Sequence, residues 1–153
     1  MKMLIALLAL SMPAAALAAN DVAVASKVLV ERVKPAPDGT SRIVREEPGV
    51  VTPGDKLVFL LSYRNGGSAP ASGFRVTNPI PAQIAFAGGE SEGATVSVDG
   101  GKSWGALASL RIANPDGSSR PAQAADVTHI RWSFSQPIAA GNAGELSFRG
   151  VVK

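Results

Sequence analysis

Hydrophobic and polar positions alternate most clearly over 56–64, and this pattern predicts a β-strand. One face of this strand carries large apolar side chains, those of Leu57, Phe59, Leu61 and Tyr63. Val58 and Leu60 lie on the opposite face, so we expect a central strand that is partly covered on both sides. Turn residues bound the segment, with Pro-Gly-Asp at 53–55 before it and Asn-Gly-Gly at 65–67 after it. The other strands are therefore expected to pair around this one.

Shorter alternating segments predict the remaining strands. They lie at 21–34, 43–44, 74–77, 84–87, 95–98, 127–134 and 146–152. The segment 107–112 fits either a strand or a loop, and 114–119 has the composition of a surface loop. The two prolines in Asn78-Pro79-Ile80-Pro81 are expected to take the chain out of the sheet. Together these segments predict an all-β protein, an immunoglobulin-like β-sandwich of seven to nine strands.

The segment 127–134 is the second strongly patterned strand. One of its faces is largely apolar and is expected to point into the core, with Thr128, Ile130, Trp132 and Phe134. The other face is polar and is expected to point outward, with His129, Arg131 and Ser133. This alternation predicts that Trp132 is a core residue.

The alternating segment 21–34 is longer than an ordinary strand. One interpretation is a first strand that kinks near Ser26-Lys27 and pairs with both sheets in turn. The other is a segment, 21–33, that leaves its own domain and completes the sheet of a neighbouring molecule. The first interpretation is preferred.

The first residues have the organisation of a secretory signal peptide. Lys2 precedes an apolar run over 3–10, and small residues follow as far as Ala19. We therefore expect residues 1–19 to be cleaved and residues 20–153 to form a single β-sandwich domain. No later stretch is apolar for long enough to cross a membrane, so we expect an exported protein of the periplasm or the extracellular space.

Composition narrows the class of function. The chain has 153 residues and a net charge of +3, and its basic residues never form a run of three, so a nucleic-acid partner is not expected. The chain has no cysteine, which excludes disulfides and thiolate metal sites. The expected partners are other envelope proteins or a second copy of the chain.

The segment 97–104, Ser-Val-Asp-Gly-Gly-Lys-Ser-Trp, has the spacing of an Asp box. In such a hairpin we expect Asp99 to cap the turn and Trp104 to pack beneath it. Sialidases carry several copies in a propeller, but a chain of this length is too short for four blades of four strands. A folding hairpin is therefore preferred to a glycosidase site.

Other polar residues give weaker indications of a catalytic or metal-binding site. His129 is the only histidine, whereas catalytic triads and histidine metal clusters need further groups close to it. Most carboxylates lie in turns, and Glu90 and Glu92 lie between two predicted strands. Calcium binding at the loops of Asp99 or Asp116 is left open. The sequence thus predicts no catalytic, cofactor-binding or metal-binding residue.

Lys27 or Lys34 could supply the amine of an isopeptide crosslink of the kind found in some immunoglobulin-like surface domains. Such a crosslink usually joins the first strand to the last. The final predicted strand, 146–152, has no Asn or Asp to act as the partner. The crosslink is therefore not expected.

Several motifs stand in an order typical of one family. They are Pro53-Gly54-Asp55, Arg64-Asn65-Gly66-Gly67, Val76-Thr77-Asn78-Pro79-Ile80-Pro81, Ser97-Val98-Asp99-Gly100-Gly101, Val127-Thr128-His129-Ile130-Arg131-Trp132 and the segment 141–148. In this order they resemble the conserved repeat domain of bacterial and archaeal surface proteins, the eleventh family of the domain-of-unknown-function series, over about 51–152. The family usually has Asp where this chain has Asn78. The resemblance implies an immunoglobulin-like sandwich, often present in tandem copies, with no assigned catalytic residues; this chain shows a single copy.

These observations favour an exported, non-catalytic module of the cell envelope or secretome with a structural or protein-interaction role. Two alternatives remain. One is a filament or oligomer subunit that assembles by strand donation from 21–33. The other is a carbohydrate-active enzyme, which rests on the single Asp box.

Overall fold

A computed structural model describes residues 21–89 and 91–153, which form ten β-strands in antiparallel sheets and two single turns of 3₁₀ helix. The strands are β1 (Val22–Pro35), β2 (Ser41–Glu46), β3 (Lys56–Asn65), β4 (Arg75–Pro79), β5 (Ile84–Gly89), β6 (Ala94–Ser97), β7 (Arg111–Ala113), β8 (Ser119–Pro121), β9 (His129–Ser133) and β10 (Ala143–Val152). The 3₁₀ turns are Leu107–Ser109 and Ala124–Asp126. The all-β prediction is confirmed, whereas the predicted signal peptide, 1–19, lies outside the described residues.

Two sheets make up the body of the structure. The larger has five strands in the order β2-β1-β3-β10-β5, and the smaller has three in the order β4-β9-β6. A separate hairpin joins β7 to β8. In the larger sheet β3 pairs with β1 on one side and β10 on the other, so its predicted central position is confirmed. In the described part of the chain no helix has the length and hydropathy that crossing a bilayer requires.

The inward side chains of the two sheets meet in the larger of two hydrophobic clusters. Its buried members are Leu61, Val76, Phe86, Val96, Val127, Ile130, Trp132, Leu146 and Phe148. Phe148 lies at the centre, fully buried, with its ring stacked 4.5 Å from that of Phe59. Trp132 is 3% exposed, which confirms the predicted core position. Tyr63 packs against this cluster, with its ring edge-on to Phe134 at 5.0 Å.

β1 lies within the larger sheet along its whole length. Residues 22–31 pair with β3 in one unbroken register, and residues 30–35 pair with β2. The expected kink and the pairing with both sheets are therefore wrong. The extra length of β1 extends past the start of β3 and forms a hairpin with β2. In this structure the segment 21–33 is paired within its own chain, so donating it to a neighbour would require those ladder bonds to break.

β4 ends at Pro79, inside the motif that was expected to take the chain out of the sheet. Pro79 itself still pairs with His129, because β4 is an edge strand and proline's missing N–H leaves no ladder bond unmade there. One local expectation needs correction. Thr128 does not point into the core, because β9 begins only at His129 and the alternation does not hold before it. Instead Val127 is buried, and the Thr128 hydroxyl donates to the Ser97 carbonyl at 3.1 Å.

The ambiguous segment 107–112 contains a 3₁₀ turn and the start of β7. The predicted loop 114–119 is mainly the turn between β7 and β8. Neither β7 nor β8 was expected as a strand of its own sheet, because both are only three residues long.

The Pro-Gly-Asp turn ties three parts of the larger sheet together. The Asp55 carboxylate accepts a hydrogen bond from Thr52 N at 2.9 Å and receives the Arg32 guanidinium of β1 on both of its oxygens. Gly54 has a φ of +93°, a conformation that glycine adopts without strain, and its N–H donates to the Val152 carbonyl at 2.8 Å. The turn therefore fixes the first and last strands against β3.

Candidate functional site

The Asp box forms the predicted capped hairpin at the end of β6. Both carboxylate oxygens of Asp99 accept hydrogen bonds from the turn itself, including those from Lys102 N at 3.0 Å and Ser103 Oγ at 2.6 Å. Ser97, which is fully buried, donates its hydroxyl to the same carboxylate at 2.7 Å. The hydrogen bonds from Ser103, above all, hold the pKa of Asp99 well below its usual range. Asp99 is thus an ionised acceptor committed to the turn.

Trp104 closes this hairpin from beneath, as the spacing predicts. Its indole N–H donates to the Gly101 carbonyl at 2.9 Å. Gly101 has a φ of +89°, and a Cβ there would lie 3.4 Å from the indole ring. The next residue, Gly105, exchanges backbone hydrogen bonds with Val96 of β6 at 2.9 and 3.1 Å. The Asp box therefore has a folding role, and it places an aromatic ring beside β9.

On the outer side of the smaller sheet, the guanidinium of Arg131 lies over the Trp104 ring, 3.6 Å from its centroid. Arg131 Nε donates to Thr77 Oγ1 of β4 at 3.1 Å. The His129 ring stands edge-on to Trp104 at 6.3 Å, and its Nδ1 lies 3.0 Å from Thr128 Oγ1. The outward positions of His129 and Arg131 are confirmed. Their contact with Trp104 was missed, because it depends on how the hairpin folds back across the sheet.

We call this surface the outer face of the smaller sheet. It consists of the outward strand residues Arg75, Thr77, Thr95, His129, Arg131 and Ser133, together with Trp104. Its histidine contacts a hydroxyl and an aromatic ring rather than a carboxylate. The outer face therefore offers recognition chemistry: an aromatic-stacked guanidinium, an imidazole and hydroxyl groups.

The other loop carboxylates also serve as turn acceptors. Asp116 Oδ1 accepts from Ser118 N at 2.9 Å and from Ser118 Oγ at 2.6 Å, and these bonds lower the pKa of Asp116. Residues 21–89 and 91–153 contain no group of three or more His, Cys, Asp or Glu placed to hold a metal ion. With both oxygens of Asp99 bonded to its own turn, neither loop presents a preformed set of calcium ligands.

A surface hollow of about 240 Å³ lies beside Trp132 at the end of β9. Its lining includes Glu92, Phe134, Ser135 and Gln136. Glu92 is the one carboxylate among the lining residues that the structure describes. Glu90, the other glutamate between the same two predicted strands, lies outside the described residues.

The two lysines considered for an isopeptide crosslink lie in exposed ion pairs. Lys27 Nζ is 2.9 Å from Glu47 Oε1, and Lys34 Nζ is 2.5 Å from Glu46 Oε2. Each amine thus faces a glutamate rather than the Asn or Asp that such a bond joins.

No family model, curated protein or solved structure matches this chain. Fold and site together define an all-β protein of antiparallel sheets, in which conspicuous polar motifs stabilise turns and one sheet carries an arginine–tryptophan face.

Proposed function

We propose that the chain is an exported, non-catalytic module of the cell envelope or secretome, with a structural or protein-interaction role. In this proposal residues 1–19 are a cleaved signal peptide, and residues 20–153 form an immunoglobulin-like β-sandwich. Two antiparallel sheets that contribute side chains to one core support the sandwich. The motif order that resembles the conserved repeat domain of surface proteins supports the envelope setting.

The observation that supports a non-catalytic role is that the Asp99 carboxylate accepts hydrogen bonds from its own turn. The Asp box is the feature of the sequence with the best-known enzymatic association, yet here both of its carboxylate oxygens bond to the hairpin's own backbone and hydroxyl groups. A carboxylate used in this way stabilises a turn and has no oxygen directed toward a substrate. A role as a strand-donating subunit is not proposed, because β1 pairs with β3 of the same chain.

Expression of the full chain in a secreting bacterium, followed by cell fractionation and intact mass measurement, tests the export. We expect protein outside the cytoplasm with residues 1–19 removed. Leu7→Arg, which places a charge in the apolar run, is the matched control and should retain full-length protein in the cytoplasm. Full-length wild-type protein confined to the cytoplasm would contradict the proposal.

A screen of the purified protein against glycoside, ester and peptide substrates tests the non-catalytic part. We expect no turnover above a buffer blank. Hydrolysis by the wild type that is lost in Glu92→Gln or His129→Gln, while the folded state is retained, would overturn the proposal.

A further inference from the structure

Ion pairs occupy some of the cationic side chains of this protein and leave others without a carboxylate. On the larger sheet and its hairpin, five cations form ion pairs with carboxylates, whereas Arg42, Lys56 and Arg64 form none with a carboxylate that the structure describes. These pairs are Lys27–Glu47, Arg32–Asp55, Lys34–Glu46, Arg45–Glu31 and Arg149–Glu31. On the outer face of the smaller sheet, Arg75 and Arg131 make no ion pair with any carboxylate that the structure describes, and none of the outward strand residues there is acidic. The outer face is therefore positively charged and complementary to an anion.

Arg131 is held in place before any partner arrives. The Trp104 ring fixes the plane of its guanidinium, and the bond from Nε to Thr77 Oγ1 fixes the rotation of that plane. Within the described part of the chain, Nη1 and Nη2 of Arg131 donate no hydrogen bond. A guanidinium with this pair of donors matches a carboxylate in a two-point contact. Because the side chain is already ordered, binding loses little of its conformational entropy.

The neighbouring groups suit a polyhydroxylated partner. Thr77, Thr95 and Ser133 place hydroxyl groups around the arginine, and Arg75 lies diagonally across from it on β4. The centre of a protein contact is usually more apolar than this face. The exposed large aliphatic side chains of the described structure lie elsewhere, at Val24, Val33, Ile43, Val50 and Val51.

We propose that the outer face of the smaller sheet binds an acidic polysaccharide, with a carboxylate of the sugar chain seated on Arg131 and further contacts to Arg75 and the surrounding hydroxyls. A nucleic acid is disfavoured because two unpaired arginines are few for a phosphate backbone. The inference adds a polysaccharide partner to the proposed structural or protein-interaction role, and it rests on the proposed function only in that export brings the module to such polymers.

Affinity electrophoresis in native gels that contain polygalacturonate tests the binding, with neutral dextran as the polymer control. We expect the purified exported form to be retarded by polygalacturonate and not by dextran. Arg131→Gln should weaken binding about tenfold, since a charge-assisted hydrogen-bond pair is lost. Arg131→Lys should lose much of the binding as well, because an ammonium keeps the charge but neither the fork nor the stacking geometry.

Arg64→Gln is the matched control, because it removes the same charge from an exposed position on the larger sheet. It should bind as the wild type does, and thermal melts should show all three variants folded. Three results would overturn the proposal: no retardation of folded wild type, equal losses in Arg64→Gln and Arg131→Gln, or equally tight binding to polyglutamate or single-stranded DNA. These in-gel results do not depend on cellular location, so they are distinguishable from a failure of export.

Discussion

Replacing Asn65 by alanine should remove the hydrogen bonds that hold two loops against the end of β3. Asn65 ends β3 and is 1% exposed. Its Nδ2 donates to the carbonyls of Ala69 at 2.9 Å and Ile138 at 2.8 Å, and its Oδ1 accepts from Gly67 N at 3.0 Å. Asn65→Ala removes these three hydrogen bonds, although the Ile138 carbonyl still accepts from Ala71 N at 2.9 Å. At about 1 kcal/mol for each lost hydrogen bond, the loss is about 3 kcal/mol.

Chemical denaturation and thermal melting measure this loss. For a domain of this size, about 3 kcal/mol corresponds to a fall in Tm of about 10 °C. Asn65→Asp separates hydrogen bonding from packing, since it keeps the volume and the acceptor but replaces the amide donor with an oxygen facing two carbonyls. Asn65→Asp should be at least as destabilising as Asn65→Ala at neutral pH.

Asn114→Ala is the control, because it removes an amide whose hydrogen bond to Ser118 Oγ, at 2.9 Å, is exposed. It should cost under about 1 kcal/mol. A loss below about 1 kcal/mol in both Asn65 variants would refute the reasoning.

Two further substitutions test the core and the last strand. Trp132→Ala should lower the free energy of unfolding by about 3 to 5 kcal/mol, because the side chain is buried against Phe148; a Tm shift of only a degree or two in a thermal melt would contradict its core position. Gly150→Ala places a Cβ 2.3 Å from Ile84 Cγ2 and should cost about 1 to 3 kcal/mol in a denaturant titration. Gly49→Ala, in a loop with no atom within 4 Å of the new Cβ, is its control and should change little.

Much of the fold follows from short-range patterns. The alternation over 56–64 and the two turns that bound it predict β3, because turn chemistry and side-chain direction are local properties of the backbone. The Asp box hairpin is predictable for the same reason, since Asp99 and Trp104 lie five residues apart and both act on one turn.

What the sequence could not supply are contacts between segments distant along the chain. The alternation of β1 is compatible with either sheet, and the choice depends on the register with β3 rather than on β1 itself. The buried role of Val127 follows from where β9 starts, which the sequence pattern places two residues too early. Arg131 lies in β9 and Trp104 in the hairpin that follows β6, so no single periodic pattern contains both residues of this stacked pair.

The hydrogen-bonded carboxylates make the stability of this protein depend on pH in a definite direction. The Asp126 carboxylate accepts hydrogen bonds from both terminal nitrogens of Arg120 at 2.7 Å and from Gln123 N at 2.8 Å. The bonds from Arg120, above all, lower the pKa of Asp126 to about 2. A carboxylate with a folded-state pKa below its unfolded value stabilises the fold above the unfolded pKa. This contribution is lost as pH falls from about 4 toward 2.

Asp126→Asn should therefore have a lower Tm than the wild type at pH 7, and the difference should shrink steadily between about pH 4 and pH 2. Melts of both proteins across this range measure the effect. Glu145→Gln, at an exposed position on β10, is the matched control and should follow the wild type throughout. A difference between Asp126→Asn and wild type that stays constant down to pH 2 would mean that the ionised form of Asp126 does not stabilise the fold, since only a contribution from the charge disappears on protonation.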